Sequence, residues 1–336
     1  MSTMNRQFLL NARPVGDIKE TDFKMIETAI PEPGADEVLV QIQYLAVEPA
    51  MRGWMENRAD YVAPLEIGDL MRGWGAGKVI ESNNARYPVG TIVSGSFGWQ
   101  EYVVTDGKSI PLQAVPEGVE TPASMGVLGI TGMTAYFGML HIGKPVAGDT
   151  VLVSGAAGAT GSVAGQLARI AGARVVGIAG SQEKCDWLTD ELGYDAAINY
   201  REKDVAAAVK QHCPDGINVY YDNVGGEILD IALARIATNA RVVICGGISR
   251  YNLTGEIPGP KNYFNLVFRR ARMEGFICGD YASQFGDAVE VLSGYLKSGE
   301  LKHRETILDG FEHTPDALKS LFSGSNMGKQ LVRVAD

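Results

Sequence analysis

The chain has 336 residues, of which 46 % are hydrophobic, and its formal net charge is −10. This length suggests two domains and is enough chain to bury a sizeable core. The acidic balance argues against a nucleic-acid partner, because phosphate backbones are bound by basic surfaces. The hydrophobic runs are too short to span a bilayer, so we expect no membrane partner. The cysteines are scattered and the first residues do not resemble a signal peptide, so we expect reduced thiols and a cytoplasmic location.

Residues 1–128 are predicted to form a small, irregular antiparallel β-barrel. Short apolar or alternating runs are interrupted by glycine and proline, which is typical of strands joined by tight turns. The predicted strands here are Glu37–Tyr44, Gly77–Glu81, Thr91–Val93 and Gln100–Thr105.

After residue 150, strand-like and helix-like segments alternate. The predicted strands are Thr150–Ser154, Arg174–Ala179, Ala196–Ile198, Ile217–Asp222, Arg241–Cys245 and Met273–Cys278. The predicted helices are Ala159–Ala171, Ser181–Leu192, Asp204–Gln211, Gly226–Ile236 and Gln284–Lys297. Repeated βαβ units indicate an α/β domain with a doubly wound parallel sheet.

The sharpest motif is the glycine-rich segment Ser154–Gly161, between the first of these strands and the helix that follows it. Gly155 permits a tight turn, Gly158 lets the backbone approach a pyrophosphate, and Gly161 lets the helix pack closely on the sheet. The helix N-terminus offers N–H groups to the phosphates. A purely structural glycine turn is the alternative, but the position within a βαβ unit favours dinucleotide binding.

The end of the second predicted strand distinguishes NAD from NADP. An NAD site places a carboxylate there, about 20 residues after the glycine loop, to bind the ribose hydroxyls. This chain has Gly180 and Ser181 at that point, and Lys184 lies in the helix that follows. A lysine in place of a carboxylate favours the 2′-phosphate of NADP, although an ordinary solvated helix lysine is the alternative.

Metal chemistry is not expected. No histidine or cysteine precedes His141, so the first domain has no imidazole or thiolate for a catalytic or structural zinc ion. The remaining histidines and cysteines show no metal-ligand spacing. Cys185 and Cys278 are interpreted as small core residues, since no histidine adjoins either one.

A series of motifs extends over nearly the whole chain. They are Glu48–Arg52, Leu128–Gly138, Ser154–Gly161, Ala179–Lys184, Asn199–Tyr200, Tyr221–Gly226, Ile244–Ser249, Tyr251–Asn252 and Asn326–Lys329. Their order resembles the medium-chain dehydrogenase/reductase superfamily, and within it the zinc-independent group of prostaglandin reductases, leukotriene hydroxydehydrogenases and bacterial curcumin reductases. The resemblance implies a GroES-like substrate domain at 1–128, a Rossmann NADP-binding domain at 129–298, and a C-terminal segment, 299–336, that returns to the GroES-like domain.

The resemblance also implies the residues that bind NADP(H). The pyrophosphate loop would comprise Gly155, Ala157, Gly158, Ala159, Thr160 and Gly161. The 2′-phosphate would be held by Ser181, Lys184 and Tyr200. The path of the cofactor would be lined by Asn223, Cys245 and Gly246, and its nicotinamide end approached by Phe276, Cys278 and Asn326.

The implied reaction is NADPH-dependent reduction of the C=C bond of an α,β-unsaturated ketone or aldehyde. Hydride transfer to the β-carbon leaves negative charge on the carbonyl oxygen, and without a metal that charge needs hydrogen-bond donors. Tyr251 matches a family tyrosine near the substrate carbonyl and is the candidate donor, alone or with a ribose hydroxyl of the cofactor. The alternative is that Tyr251 only packs a loop.

An apolar, aromatic wall would suit a bulky enone. The candidates are Tyr44, Met51, Tyr61, Trp74, Trp99, Met133, Tyr263 and Phe264. Because aromatic side chains commonly form cores, we expect only about half of them to face a ligand. The predicted substrate-binding residues are Tyr61, Trp74, Tyr251 and Tyr263.

Two other functions stay open at this point. One is a zinc-independent NADPH quinone reductase of the same superfamily, and the other is a non-enzymatic cofactor-binding protein akin to lens proteins recruited from it. Members of the superfamily commonly dimerise through sheet edges, and Met273–Cys278 is an apolar candidate for such an edge, so we expect a homodimer.

Overall fold

The computed structural model describes residues 4–335 of the chain. They divide into two compact units, of which unit 1 comprises residues 4–125 and 305–335, and unit 2 comprises Gly126–Arg304. Within residues 4–335 no helix combines the length and the apolar character that crossing a bilayer requires.

The regular elements are named in chain order. The strands are β1 (Met4–Leu10), β2 (Phe23–Ala29), β3 (Val38–Ala46), β4 (Trp74–Ser82), β5 (Ile92–Gly95), β6 (Tyr102–Thr105), β7 (Gln113–Ala114), β8 (Thr150–Val153), β9 (Arg174–Ala179), β10 (Ala196–Asn199), β11 (Ile217–Asp222), β12 (Ile236–Ile244), β13 (Arg272–Gly275), β14 (Glu305–Asp309) and β15 (Lys329–Arg333). The helices are α1 (Ala50–Trp54), α2 (Thr121–Met125), α3 (Ile130–Tyr136), α4 (Ala159–Ile170), α5 (Gln182–Asp186), α6 (Val205–His212), α7 (Gly226–Ala234), α8 (Asn265–Arg269), α9 (Phe285–Ser298) and α10 (Thr314–Ser323). Helices α3 and α5 continue as the π-helical segments Phe137–Gly143 and Trp187–Glu191.

Unit 1 is the GroES-like β-barrel domain. Its main sheet has seven strands, with the order β14-β15-β3-β4-β5-β7 and with β6 paired to β3, while β1 and β2 form a separate antiparallel pair. The pairs of the main sheet are antiparallel except for β14 and β15, and β15 pairs with β3. The last strands of the chain therefore complete a sheet that the first half of the chain begins.

Unit 2 is the Rossmann domain. Its six strands lie in the order β10-β9-β8-β11-β12-β13, and every neighbouring pair is parallel. The strand order reverses between β8 and β11, and sheets of this kind bind ligands in the crevice beyond the carboxyl ends of the strands at that point. The predicted combination of a doubly wound parallel sheet and a β-barrel domain is confirmed.

Two strands of unit 2 differ from the predicted bounds by more than one residue. Strand β12 starts at Ile236 and not at Arg241, because it includes the exposed residues Thr238 and Asn239, which break the apolar pattern used to find it. Strand β13 ends at Gly275, three residues before the predicted end at Cys278.

Candidate cofactor-binding and active site

The glycine-rich loop joins β8 to α4 with little room for side chains. Gly155 has a φ of 57°, in the left-handed region that favours glycine. A Cβ on Gly161 would overlap the carbonyl oxygen of Gly155, so α4 approaches the strand end this closely only because the position has no side chain. Gly158 is the N-cap of α4 and provides no capping side chain, which leaves first-turn N–H groups for a phosphate. Ala157 is buried in the loop, and Ala159 and Thr160 lie half-buried in the first turn.

Asp222, at the end of β11, organises the loops around this site and is a residue that sequence analysis missed. It is buried, and its Oδ1 accepts hydrogen bonds from the hydroxyls of Ser154 (2.9 Å) and Tyr220 (2.7 Å). The same oxygen accepts from the backbone N–H groups of Val224 (3.0 Å) and Gly225 (2.9 Å). The carboxylate therefore fixes the loop after β11 against the start of the glycine-rich loop.

The backbone of Asp222 extends this arrangement to β12. Its carbonyl oxygen accepts from the N–H groups of Cys245 (2.9 Å) and Gly246 (3.0 Å), while Asn223 Nδ2 donates to the carbonyl oxygen of Ser154 (2.7 Å). The structure thus brings the predicted residues Asn223, Cys245 and Gly246 together beyond the carboxyl ends of β8, β11 and β12.

Tyr251 lies at the turn after β12. Its hydroxyl oxygen accepts a 3.3 Å hydrogen bond from the N–H of Gly247 and lies beside Gly246, where a Cβ would come within 3.6 Å. Burial is the largest of the effects that raise the pKa of this half-buried phenol. A neutral phenol that accepts one bond still has its own hydrogen to donate, as a carbonyl ligand requires.

The predicted 2′-phosphate residues meet at the ends of β9 and β10. These parallel strands are paired with Ala179 opposite Asn199. The Ser181 hydroxyl accepts from the backbone N–H of Lys184 (3.3 Å) and caps α5, and a Cβ on Gly180 would lie 2.9 Å from the Tyr200 hydroxyl. Burial, followed by repulsion from Arg201, lowers the pKa of Lys184. Arg201, which sequence analysis did not single out, lies with its guanidinium carbon 5.8 Å from the centre of the Tyr200 ring.

Phe276 and Cys278 lie near Tyr221 in unit 2. A Cβ on Gly138 would come within 2.7 Å of both the Phe276 ring and the Tyr221 hydroxyl, and that hydroxyl donates to the carbonyl oxygen of Thr134 (2.9 Å). Burial raises the pKa of Cys245 to about 12, which keeps its thiol protonated at neutral pH. This part of the site is therefore an uncharged surface.

The remaining predicted residues lie in different surroundings. In unit 1, Tyr61 is 51 % exposed and its hydroxyl accepts from Trp54 Nε1 (3.0 Å), while Trp74 packs on the cluster around Ala76 at the start of β4. Asn326 Nδ2, also in unit 1, donates to the carbonyl oxygen of Gly328 (3.0 Å). In unit 2, Tyr263 is 56 % exposed.

Three candidates for the pocket wall are core residues instead. Met51, Trp99 and Met133 are buried, and Trp99 stacks on Phe23 with their ring centres 5.3 Å apart. A large apolar side chain has the same sequence signature whether it packs inward or faces a ligand, so the interpretation of these three as wall residues was wrong.

Within residues 4–335 no three His, Cys, Asp or Glu side chains are grouped so that they could hold a metal ion.

Comparisons with known proteins identify the family and support the same fold and cofactor. Residues 6–113 match the family described as the N-terminal domain of oxidoreductase, and residues 159–294 match the family described as zinc-binding dehydrogenase. The chain is 37 % identical to the NADPH-dependent curcumin reductase of Escherichia coli, over 98 % of this chain and 97 % of the relative. It is 39 % identical to the NADP(+)-dependent 2-alkenal reductase of Nicotiana tabacum, over 98 % of both chains.

The crystal structure of CurA from Vibrio vulnificus in complex with NADPH superposes with a TM-score of 0.93 at 37 % identity, covering 98 % of this chain and 99 % of that one. The fold, the glycine-rich loop and full-length relatives all lead to the same group. The chain therefore belongs to the medium-chain dehydrogenase/reductase superfamily, in the group that contains the curcumin, alkenal and prostaglandin reductases.

Proposed function

We propose that this protein uses NADPH to reduce the C=C bond of α,β-unsaturated ketones and aldehydes. One observation carries the proposal. Three groups lie beyond the carboxyl ends of the Rossmann strands and belong to one unit: the glycine-rich loop with its uncapped helix N-terminus, the residues Ser181, Lys184 and Tyr200 that follow β9 and β10, and the Tyr251 hydroxyl. The names of the curcumin and alkenal reductase relatives support the substrate class. In this proposal residues 129–298 form the NADP-binding domain, 1–128 form the substrate domain, and 299–336 belong with the latter.

The residues fit the cofactor. Gly161 has no space for a side chain, and Gly155 has a left-handed φ of 57° that favours glycine, so the loop backbone suits a closely approaching pyrophosphate. Gly155, Gly158 and Gly161 with Ala157, Ala159 and Thr160 would hold this pyrophosphate. Ser181, Lys184 and Tyr200 would hold the 2′-phosphate. Asn223, Cys245 and Gly246 would line the path of the cofactor, and Phe276, Cys278 and Asn326 would contact its nicotinamide end.

When bound, NADPH supplies the hydride that the β-carbon receives. The Tyr251 hydroxyl donates a hydrogen bond to the carbonyl oxygen, where negative charge develops. The raised pKa of Tyr251 keeps that hydrogen in place at neutral pH. Addition of a proton at the α-carbon completes the reduction. Tyr61, Trp74 and Tyr263 provide aromatic surface for the rest of the substrate.

The reaction proposed here is zinc-independent. The description of the second matching family refers to zinc, but no histidine or cysteine precedes His141 in this chain. Full activity after exhaustive chelation with EDTA supports this proposal, whereas loss of activity that added zinc restores would refute it.

A screen of NADPH oxidation over enones, enals and quinones tests the function. Turnover of enones or enals is expected. Turnover of benzoquinones alone would identify a quinone reductase, and NADPH binding without any oxidation would identify a cofactor-binding protein.

The proposal includes a cytoplasmic homodimer. None of the four cysteines forms a disulfide, which suits a reducing compartment. Strand β13 is the outermost strand of the parallel sheet. Exposed apolar side chains lie in this strand and in the segments just before and after it, and they could pack against a second copy of the chain. The exposed apolar residues are Phe264, Val267, Phe268, Met273 and Ile277.

A further inference from the structure

Arg201 lies at the carboxyl end of β10, directly after Tyr200. Its guanidinium carbon is 5.8 Å from the centre of the Tyr200 ring, and the hydroxyl of that ring packs against Gly180. The buried Asn199 side chain accepts a hydrogen bond from the Arg201 backbone N–H (3.1 Å) and so fixes the turn that presents the arginine. Arg201 therefore belongs to the same strand-end cluster as Ser181.

Arg201 and Lys184 are close enough for their charges to interact. Repulsion by Arg201 follows burial among the causes that lower the pKa of Lys184, and Glu183 opposes it only in part. Two positive charges that interact in this way repel each other. A phosphate dianion beside both side chains would attract each of them and outweigh their mutual repulsion. The arrangement therefore suits an anionic ligand.

We infer that Arg201 is a second cationic ligand of the cofactor 2′-phosphate and a determinant of the preference for NADP over NAD. The inference rests on the proposed use of NADPH. A guanidinium presents paired N–H donors that match phosphate oxygens, whereas the lysine ammonium acts as a point charge. The side chain of Arg201 is exposed, so we expect Arg201→Ala to keep the fold.

Binding of cofactor fragments tests this inference without any turnover. Isothermal titration calorimetry with 2′,5′-ADP and 5′-AMP compares ligands that differ only in the 2′-phosphate. The Arg201→Ala variant should bind 2′,5′-ADP roughly 10- to 100-fold more weakly than the wild type, in line with a lost charge-assisted bond. Its affinity for 5′-AMP should not change. Arg201→Lys should recover part of the loss, and Lys210→Ala, which removes an exposed cation from α6, serves as the matched control and should bind both ligands normally.

The outcomes separate the inference from the function on which it rests. A wild type that binds 2′,5′-ADP no better than 5′-AMP would refute the NADP assignment itself. A wild type that discriminates, together with an Arg201→Ala variant that discriminates equally well, would refute only the role of Arg201. Equal losses for both ligands would also refute it, because they would place Arg201 at the adenosine and not at the phosphate.

Discussion

The Ser154 hydroxyl donates a 2.9 Å hydrogen bond to Oδ1 of Asp222 and so joins the ends of β8 and β11. These are the two strands between which the order of the Rossmann sheet reverses. The Ser154 hydroxyl also accepts from the N–H of Asn223 (2.9 Å). One buried hydroxyl therefore connects the glycine-rich loop to the loop after β11. Both loops follow the carboxyl ends of strands at the point where the strand order reverses, and sheets of this kind bind dinucleotides there.

We expect Ser154→Ala to destabilise the protein by about 1.5–3 kcal/mol, because it removes a hydrogen bond to a buried carboxylate. Ser162→Ala is the matched control, since Ser162 is also buried but donates only to a neutral carbonyl, that of Ala159, at 3.4 Å. Urea unfolding monitored by circular dichroism measures both losses. Equal losses would contradict a special role for the Ser154–Asp222 bond.

We expect Tyr251→Phe to lower kcat for an enone roughly 10- to 1000-fold, because the carbonyl oxygen loses a donor where charge develops. The affinity for NADPH should barely change. Steady-state kinetics and a fluorescence titration with NADPH measure the two quantities. An unaltered kcat would reduce Tyr251 to a packing role at the turn after β12.

Lys184→Ala should raise the KM for NADPH by roughly 10- to 150-fold, as expected for the loss of a lysine–phosphate contact. The KM for NADH should stay nearly the same, because NADH has no phosphate for the lysine to contact. Initial rates with each cofactor provide the comparison. A similar rise for both cofactors would show that Lys184 only stabilises its helix.

As the pH rises, the affinity for 2′,5′-ADP should begin to fall at a lower pH than it would if Lys184 had the pKa of an ordinary lysine. In the proposed site the ammonium form of Lys184 binds the phosphate, and burial and Arg201 lower the pKa of Lys184 below its usual 10.5. Affinity is therefore full below the lowered pKa and decreases as the pH rises through it. Titrations across the alkaline range measure the decrease, which Lys184→Arg should shift to higher pH because a guanidinium keeps its proton there. The same profile in both proteins would exclude Lys184 as the titrating group.

Light scattering at micromolar concentration should give the mass of a dimer, and Met273→Lys should convert it to a monomer. Met273 lies on the edge strand β13 with 38 % of its surface exposed, so a charge there would be buried against the second copy. Val146→Lys, which charges another exposed apolar residue of unit 2, should leave the dimer intact. A monomeric wild type would end this proposal.

Local patterns were enough to predict much of the fold and the local structure of the glycine-rich loop and the Ser181 cap. A glycine-rich loop between a strand and a helix can be recognised from a few residues, because local backbone conformation and close packing require glycine at fixed positions. Gly155, Gly161 and the Ser181 cap are of this kind. The lack of a carboxylate at the end of the second strand is likewise visible from spacing alone.

The tertiary structure decided which distant groups meet. Ser154 and Asp222 are 68 residues apart, and only the reversal of strand order between β8 and β11 makes them partners. Arg201 looks like one more surface cation until the pairing of β9 with β10 brings it near Lys184. Trp99 and Tyr61 also look alike as candidates, yet one is buried and the other half exposed. Side-chain contacts across a sheet depend on strand order, which short-range patterns do not encode, and so the sequence by itself determined the class of the site while the fold determined its network.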